Sequence, residues 1–457
     1  MKKQLMLLAL SVLTLSAQDE LKSWFEGLEF KGFAFARYSG VNGAEGYGDR
    51  WQYRFKLDAK SEEINGWNLT AGVYLNQGSS VPKLGSSTHG DVQGDQALSL
   101  HNGNFPDRFS IAQLYGSKKF NSDNVKFAFD AGRMNIISTF TDKSTDVGLG
   151  ARGSLKFKPL ELSVAFYDSW ATNNFGYAFN AMSTKPITDS AWGLGNNLTM
   201  LSLATPKDNK IADMLSFKAS VANVIGLFDY LGFVELKADI GKYYVLAQVA
   251  AAGVNSTPFY QLSKVNTLPY GNIATWSNTN TFPTYNGLTN TDFAKNRGIY
   301  NIQLGAKFGS LGAKLGFLGS FGDGYGVLLT STGGISTAGK IWSNNINSSS
   351  EGFGILGSGG RDGTSIIVGY GAIDFKLTAP LKIGLDISYI SGDNNYAYVN
   401  VSRAPNMKEN AKGIDFFEVA PSLTYALSEK LKFNLFYAQW LGDVTFGKTR
   451  AEIRFDF

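Results

Sequence analysis

From Arg50 to Lys60 the chain reads RWQYRFKLDAK, polar at every even position and apolar or aromatic at every odd one. Successive side chains of an extended strand point to opposite faces. Trp51, Tyr53, Phe55, Leu57 and Ala59 therefore share one face, and Arg50, Gln52, Arg54, Lys56, Asp58 and Lys60 the other. A soluble sandwich buries the oily face of such a strand and gives the charged face to bulk water. A membrane barrel gives the oily face to lipid and the charged face to an enclosed lumen.

The alternation recurs along the chain. Segments 28–38, 48–60, 66–76, 108–120, 124–135 and 145–157 carry it through the first third. It continues over 160–170, 196–205, 212–222, 229–239, 242–253 and 298–308, then over 311–322, 365–378, 381–392, 413–427, 430–442 and 448–457. Segments 28–38 and 365–378 carry apolar residues on both faces. A strand tilted across a bilayer needs about 9–11 residues. The connections are sorted. After even-numbered segments they are short (SEEIN, NSD, KP, PKDNK, IG, GS, AP, SE), whereas 77–107, 171–195, 254–297, 323–363 and 393–412 all follow odd-numbered ones. Short turns at one end and long loops at the other predict an all-β, antiparallel transmembrane β-barrel of eighteen strands, with short periplasmic turns and long extracellular loops. An even count returns both ends of the chain to one side.

The opening residues MKKQLMLLALSVLTLSAQDE read as a secretory signal: Lys2 and Lys3, an apolar run from Leu5 to Leu15, and Ala17 before polar sequence. Residues 1–17 are then a signal peptide and 18–457 the outer-membrane barrel. Without the two signal lysines the formal charge of +4 falls to +2, which predicts no nucleic-acid partner. There is no Cys, so neither disulfides nor thiolate metal sites are available. No stretch supplies the roughly 18 consecutive apolar residues of a membrane helix. The outward-facing Phe457 at the end of an alternating strand fits a signal for the barrel assembly machinery, and the location implied is the outer membrane of a Gram-negative bacterium.

Eighteen strands enclose a lumen too wide for side chains to fill. The strand pattern starts soon after the signal, leaving no length for a plug domain, so the expected lumen is open except where an external loop folds inward. The third external loop lies within GRMNIISTFTDKSTDVGLGA. Here the chain resembles the major outer-membrane porins of Campylobacter and its relatives, distantly akin to OprD-like channels, which carry a GR/GK…PFTD…G-G stretch at this place. Gly132, Arg133, Phe140, Thr141, Asp142, Gly148 and Gly150 match it, and Ser138-Thr139 stands where a Pro is common. The resemblance implies a general porin, usually a homotrimer, narrowed by loop three.

Such a constriction opposes acids on the loop to bases on the wall. Asp142 and Asp146 are the loop acids. Arg37, Arg54, Arg450 and Arg454 are the wall bases, brought together when the last strand closes against the first, and Arg133 and Arg152 flank the loop. Guanidinium groups hold charge and geometry well in this role. Arg50, Lys56, Lys126, Asp130 and Lys156 are expected to line the pore; for lysines high on the wall the plainer reading is a solvated lumen side chain. The function indicated is passive diffusion of ions and small hydrophilic solutes through the outer membrane. The rivals are a substrate-selective nutrient channel and an adhesin displaying loops 254–297 and 323–363.

Enzymatic chemistry finds no support. His89 and His101 both lie in the second long loop, so no predicted strand carries a histidine for a Ser–His pair. HGDVQGD, with His89, Asp91 and Asp95, reads as a solvated loop rather than a cation site. Asp142 with Asp146 is the one pair worth testing for Ca²⁺; no other cofactor is indicated. Gly319–Gly326 and Gly357–Gly363 lack the Lys-Ser/Thr of a phosphate loop and read as hinges.

Overall fold

The computed structural model describes residues 27–43, 46–78, 107–122, 125–172, 177–179, 197–206, 211–224, 227–255, 293–329, 334–342, 355, 358–394 and 411–457. The first strands are β1 (Glu29–Gly43), β2 (Gly46–Lys60), β3 (Trp67–Gly78), β4 (Asp107–Asn121), β5 (Val125–Asn135) and β6 (Val147–Phe157). Next come β7 (Leu160–Thr172), β8 (Tyr177–Phe179), β9 (Leu198–Ala204), β10 (Leu215–Val224), β11 (Phe228–Ile240) and β12 (Tyr243–Val254). The last are β13 (Asn296–Phe308), β14 (Leu311–Gly322), β15 (Ile367–Lys376), β16 (Leu381–Asn394), β17 (Ala411–Ala426), β18 (Leu431–Gly442) and β19 (Phe446–Asp456). The eighteen alternating segments all appear, shifted by a few residues at their ends. β8 is a three-residue addition to the end of β7, which pairs onward with β9.

Neighbouring strands pair antiparallel throughout, and β1 pairs with both β2 and β19, from Phe33↔Asp456 to Gly43↔Phe446. The sheet therefore closes into an eighteen-stranded barrel with no free edge, which is the condition for placing strand backbone in hydrocarbon. Residues such as Trp51, Ile302, Leu304, Leu315, Ile373 and Leu385 are all exposed, and they alternate with residues of the opposite, inner face. A continuous apolar outer surface of this kind is a lipid face. The two faces of RWQYRFKLDAK separate accordingly: Trp51 is 61% exposed outside, while Lys56 is 5% exposed on the inner side.

The inside is not uniformly open. From β10 to β19 the inner face carries buried Leu231, Phe233, Ile299, Val368, Ile390 and Phe416. What buries them is the chain that follows β14. Tyr325, Val327, Leu328, Leu329, Ile341, Trp342 and Ile355 belong to the same buried cluster. Each large side chain so covered contributes about 1.5–3 kcal/mol relative to exposure. The expectation of a lumen obstructed by the third loop alone is thus corrected. So is the reading of 323–363 as an external display loop: its residues 323–329, 334–342, 355 and 358–363 are described, and their apolar side chains sit inside the barrel. Most of 254–297 lies outside the described residues.

Candidate functional site

On the wall formed by β19, β1 and β2 the inner face is built from guanidinium groups laid over phenyl rings. Register sets the order. Phe35 stands between Arg454 and Arg54, and Arg37 is opposite Glu452. Arg37 lies 4.4 Å from the Phe35 ring centroid and Arg54 5.7 Å from the same ring. Arg454 lies 4.3 Å over Phe33, and Arg450 5.5 Å over Phe436 on β18. Such contacts hold a charge flat at about 0.5–2 kcal/mol each. They explain the two-faced apolar pattern of β1, since Phe33 and Phe35 are platforms facing the lumen. Arg37 Nε donates to Glu452 Oε2 at 2.7 Å, and Arg454 Nε to Asp456 at 2.8 Å. Arg37 and Arg454 each have a carboxylate beside them, and basic residues outnumber acidic ones at the inward positions of these three strands. Arg50 is on the same strand, but its side chain lies outside the described set.

The loop joining β5 to β6 turns to the inner side, because Met134, Ile136 and Phe140 are fully buried in the interior cluster. The glycines of its motif are required by their surroundings. A Cβ on Gly148 would come within 2.4 Å of the Tyr167 ring, and one on Gly150 within 2.0 Å of the Phe166 carbonyl oxygen. Lys56 Nζ donates to the Ser144 carbonyl at 3.0 Å, tying the loop to β2. The two loop acids are largely spent on the turn itself. Asp146, wholly buried, accepts from the Asp142 amide at 2.8 Å, and Asp142 accepts from the Ser144 amide at 2.9 Å and its hydroxyl at 2.6 Å. Arg152 forms an ion pair with Asp130 at 2.5 Å, and Ser117 donates to the same carboxylate at 2.6 Å. Lys126 and Lys156 face one another in register on that inner face, with Lys156 3.2 Å from Glu161.

Arg133 is not with them. It is directly opposite Leu114 and Leu149, both exposed on the outer face, while its neighbour Met134 points into the interior cluster. Its placement at the constriction is corrected: strict alternation from Phe129 and Ala131 puts position 133 outside.

The interior segment Gly334–Trp342 is pinned to the wall by groups that the sequence pattern did not single out. Gln248 on β12 donates to the Gly334 carbonyl at 2.8 Å and accepts from the Ser336 amide at 2.9 Å. Asn301 on β13 donates to the Ser336 carbonyl at 2.7 Å, and Tyr370 on β15 to Asn301 at 2.7 Å. Asp386 on β16 accepts from the Gly339 amide at 3.0 Å and pairs with Lys340 at 3.1 Å. Glu418 on β17, fully buried, accepts from the amides of Lys340, Ile341 and Trp342 and from the Trp440 indole at 2.9 Å. The segment also meets the β5–β6 loop: the Gly334 amide donates to the Thr139 carbonyl at 2.7 Å. A Cβ on Gly334 would lie 3.1 Å from Thr139 and 3.3 Å from Phe233. The β5–β6 loop thus reaches from Lys56 on one wall to the segment pinned against the other.

Among the described residues no three or more His, Cys, Asp or Glu side chains gather as a metal site. His89, His101, Asp91 and Asp95 lie outside the described residues.

No protein-family model matches the chain, and no curated protein matches it in sequence. Solved structures do match. Pseudomonas aeruginosa OccK8 (OprE) superposes with a TM-score of 0.57 at 12% identity, over 95% of this chain and 99% of that one. Pseudomonas aeruginosa OccK2 (OpdF) in complex with glucuronate gives 0.55 at 12% identity, again over 95% and 99%. The outer membrane protein opdK of the same organism gives 0.56 at 12% identity, with the same coverage. At such identity the likeness speaks for the fold alone: the chain is similar in architecture to the OprD/Occ outer-membrane channels, a barrel closed by eighteen antiparallel strands.

Proposed function

We propose that the protein is a porin of a Gram-negative outer membrane, through which small hydrophilic solutes diffuse passively and anions are favoured. The observation that carries this reading is the cluster of Arg37, Arg54, Arg450 and Arg454 on one stretch of inner wall. The passage is narrowed where the β5–β6 loop meets the segment after β14. Fixed charges along a narrow water-filled passage set which ions enter, and guanidinium groups stay charged there. No step of catalysis is involved. Reversal potential in a planar bilayer under a salt gradient tests the reading. The wild type is expected to prefer anions, and the triple substitution R37Q/R54Q/R450Q to weaken that preference on the order of tenfold, the scale of field focusing in a charged cleft. Conductance with unchanged selectivity in the variant would sink it. The finer readings go with it: a trimer, the Campylobacter-like affiliation, cleavage after Ala17 and Phe457 as an assembly signal.

A substrate-selective channel is the second reading. It is favoured by the one-sided arrangement of the arginines and by the structurally similar OccK2, which was captured with glucuronate. Block of the KCl current by one class of carboxylate but not by size-matched anions would place it first.

A further inference from the structure

Arg133 belongs to neither inner wall. On β5 it stands directly opposite Leu114 of β4 and Leu149 of β6, whose side chains are 50% and 42% exposed on the outer face. Ile111 and Phe129, on the same face of β4 and β5, are exposed too. The arginine is therefore set among side chains that meet hydrocarbon. A charge there costs about 2–4 kcal/mol at the bilayer midplane but only about 0–1 near its edges.

Height decides which figure applies. β5 leaves a short periplasmic turn at Val125, and Arg133 is eight residues further on. At about 3.3 Å per residue and a tilt of about 40° that is about 20 Å up an apolar band about 25 Å tall. The flexible stem lets the guanidinium rise further, to the lipid head groups on the side of the long loops.

Nothing in the protein meets it there. Among the described residues no carboxylate, carbonyl or hydroxyl pairs with Arg133, and its Nε is shielded from water without a hydrogen-bond partner. Lys118 on β4, which also faces outward opposite Phe129, is provided for. Its ammonium lies 5.1 Å over the Trp67 ring and 5.0 Å over that of Phe120, and it donates to the Asn65 carbonyl. A guanidinium without a protein partner, at head-group height and among aliphatic side chains, matches a ligand that joins phosphate to acyl chains. The planar fork offers a phosphate two parallel N–H donors, and the chains lie along Leu114 and Leu149.

We propose that Arg133, with Leu114 and Leu149, binds the phosphate of an acylated phosphoglycolipid in the outer leaflet. The site depends on the barrel's place in the outer membrane and not on the channel reading, so its test uses no current.

Native mass spectrometry of the folded barrel in detergent, titrated with diphosphoryl lipid A and with the same lipid stripped of its phosphates, supplies that test. The wild type is expected to bind the phosphorylated form about tenfold more tightly, the scale of one charge-assisted contact. R133Q is expected to bind the two alike, R133K to keep part of the preference, and K118Q to keep all of it. Heat-modifiable gel mobility reports that each variant has folded. Equal binding of both lipids by the wild type, or a preference that survives in R133Q, would overturn the site. So would lipid-free R133Q running as monomers where the lipid-free wild type holds together, for the arginine would then be a contact between copies of this chain.

Discussion

Two walls of one barrel treat their inner faces in opposite ways. Along β19, β1 and β2 the inner side chains are arginines set on the rings of Phe33 and Phe35, which they cover. Along β12 to β17 they are amides, carboxylates and aliphatics, and the chain after β14 covers them. Both walls use the same period-two strand. What differs is whether the inward residues must satisfy themselves in water or against another piece of backbone. A guanidinium on the arginine wall is steadied by a ring or a counter-ion beside it. A polar group under a covering segment needs a designated partner, since an unsatisfied buried donor or acceptor costs about 1–3 kcal/mol. That is why the covered wall is dense in side chain to backbone bonds and the bare wall in cation–aromatic contacts.

The sharpest way to break the comparison is Glu418→Ala. It removes one carboxylate that satisfies three consecutive amides and an indole. A loss of about 3 kcal/mol or more is expected from those orphaned donors, together with release of Gly334–Trp342 from the wall. Thermal unfolding should begin at lower temperature, and single channels should become larger and noisier. A variant as stable and as quiet as the wild type would mean that packing of Trp342 and Ile341, rather than the carboxylate, holds the segment.

The contrast also explains what could be read in the chain beforehand. The bare wall was legible because alternation alone places Arg37, Arg54, Arg450 and Arg454 inward, and closure of an even-stranded barrel makes them neighbours. The strands were legible for the same reason. The covered wall was not. Its trace was there in segment 365–378, apolar on both faces, because Val368 and Tyr370 pack against chain inside the barrel. An isolated Glu418 between Phe417 and Val419 reads as an ordinary inward acid until its partners are known, and those partners are backbone amides some eighty residues away. Asp142 and Asp146 were placed at the right loop, but not foreseen was that a short turn would consume their carboxylates. Arg133 was misplaced by attention to its motif over its parity.

Gly334→Val tests the seam between the two walls. A side chain there must displace Thr139 or Phe233, which already stand close. Overpacking of this kind costs about 1–3 kcal/mol. The expected result is a smaller drop in unfolding temperature than for Glu418→Ala, with a changed conductance, because the bond from the Gly334 amide to Thr139 joins the two inward segments. Unchanged conductance would show that conduction does not depend on their junction.

The smallest effect belongs to a site outside both walls. In the turn between β2 and β3, Glu63 lies 2.6 Å from Lys119, with both side chains more than a third exposed. The hydrogen bond from Lys119 holds the Glu63 carboxyl below its ordinary value, with lesser help from the surrounding lysine charges. A carboxyl lowered in the folded state adds stability above its unfolded value, and that stability is lost as pH falls through the lowered one. For so exposed a pair the contribution is at most about 1 kcal/mol and is screened by salt. Glu63→Gln should therefore lower the unfolding temperature slightly at pH 7 in low salt, and the difference should vanish well below pH 4 and in high salt. A gap that persists in acid would show that the glutamate acts by shape rather than charge. A loss as large as that of Glu418→Ala would undo the comparison of the walls, for it would mean that cover from water does not decide what a carboxylate is worth in this barrel.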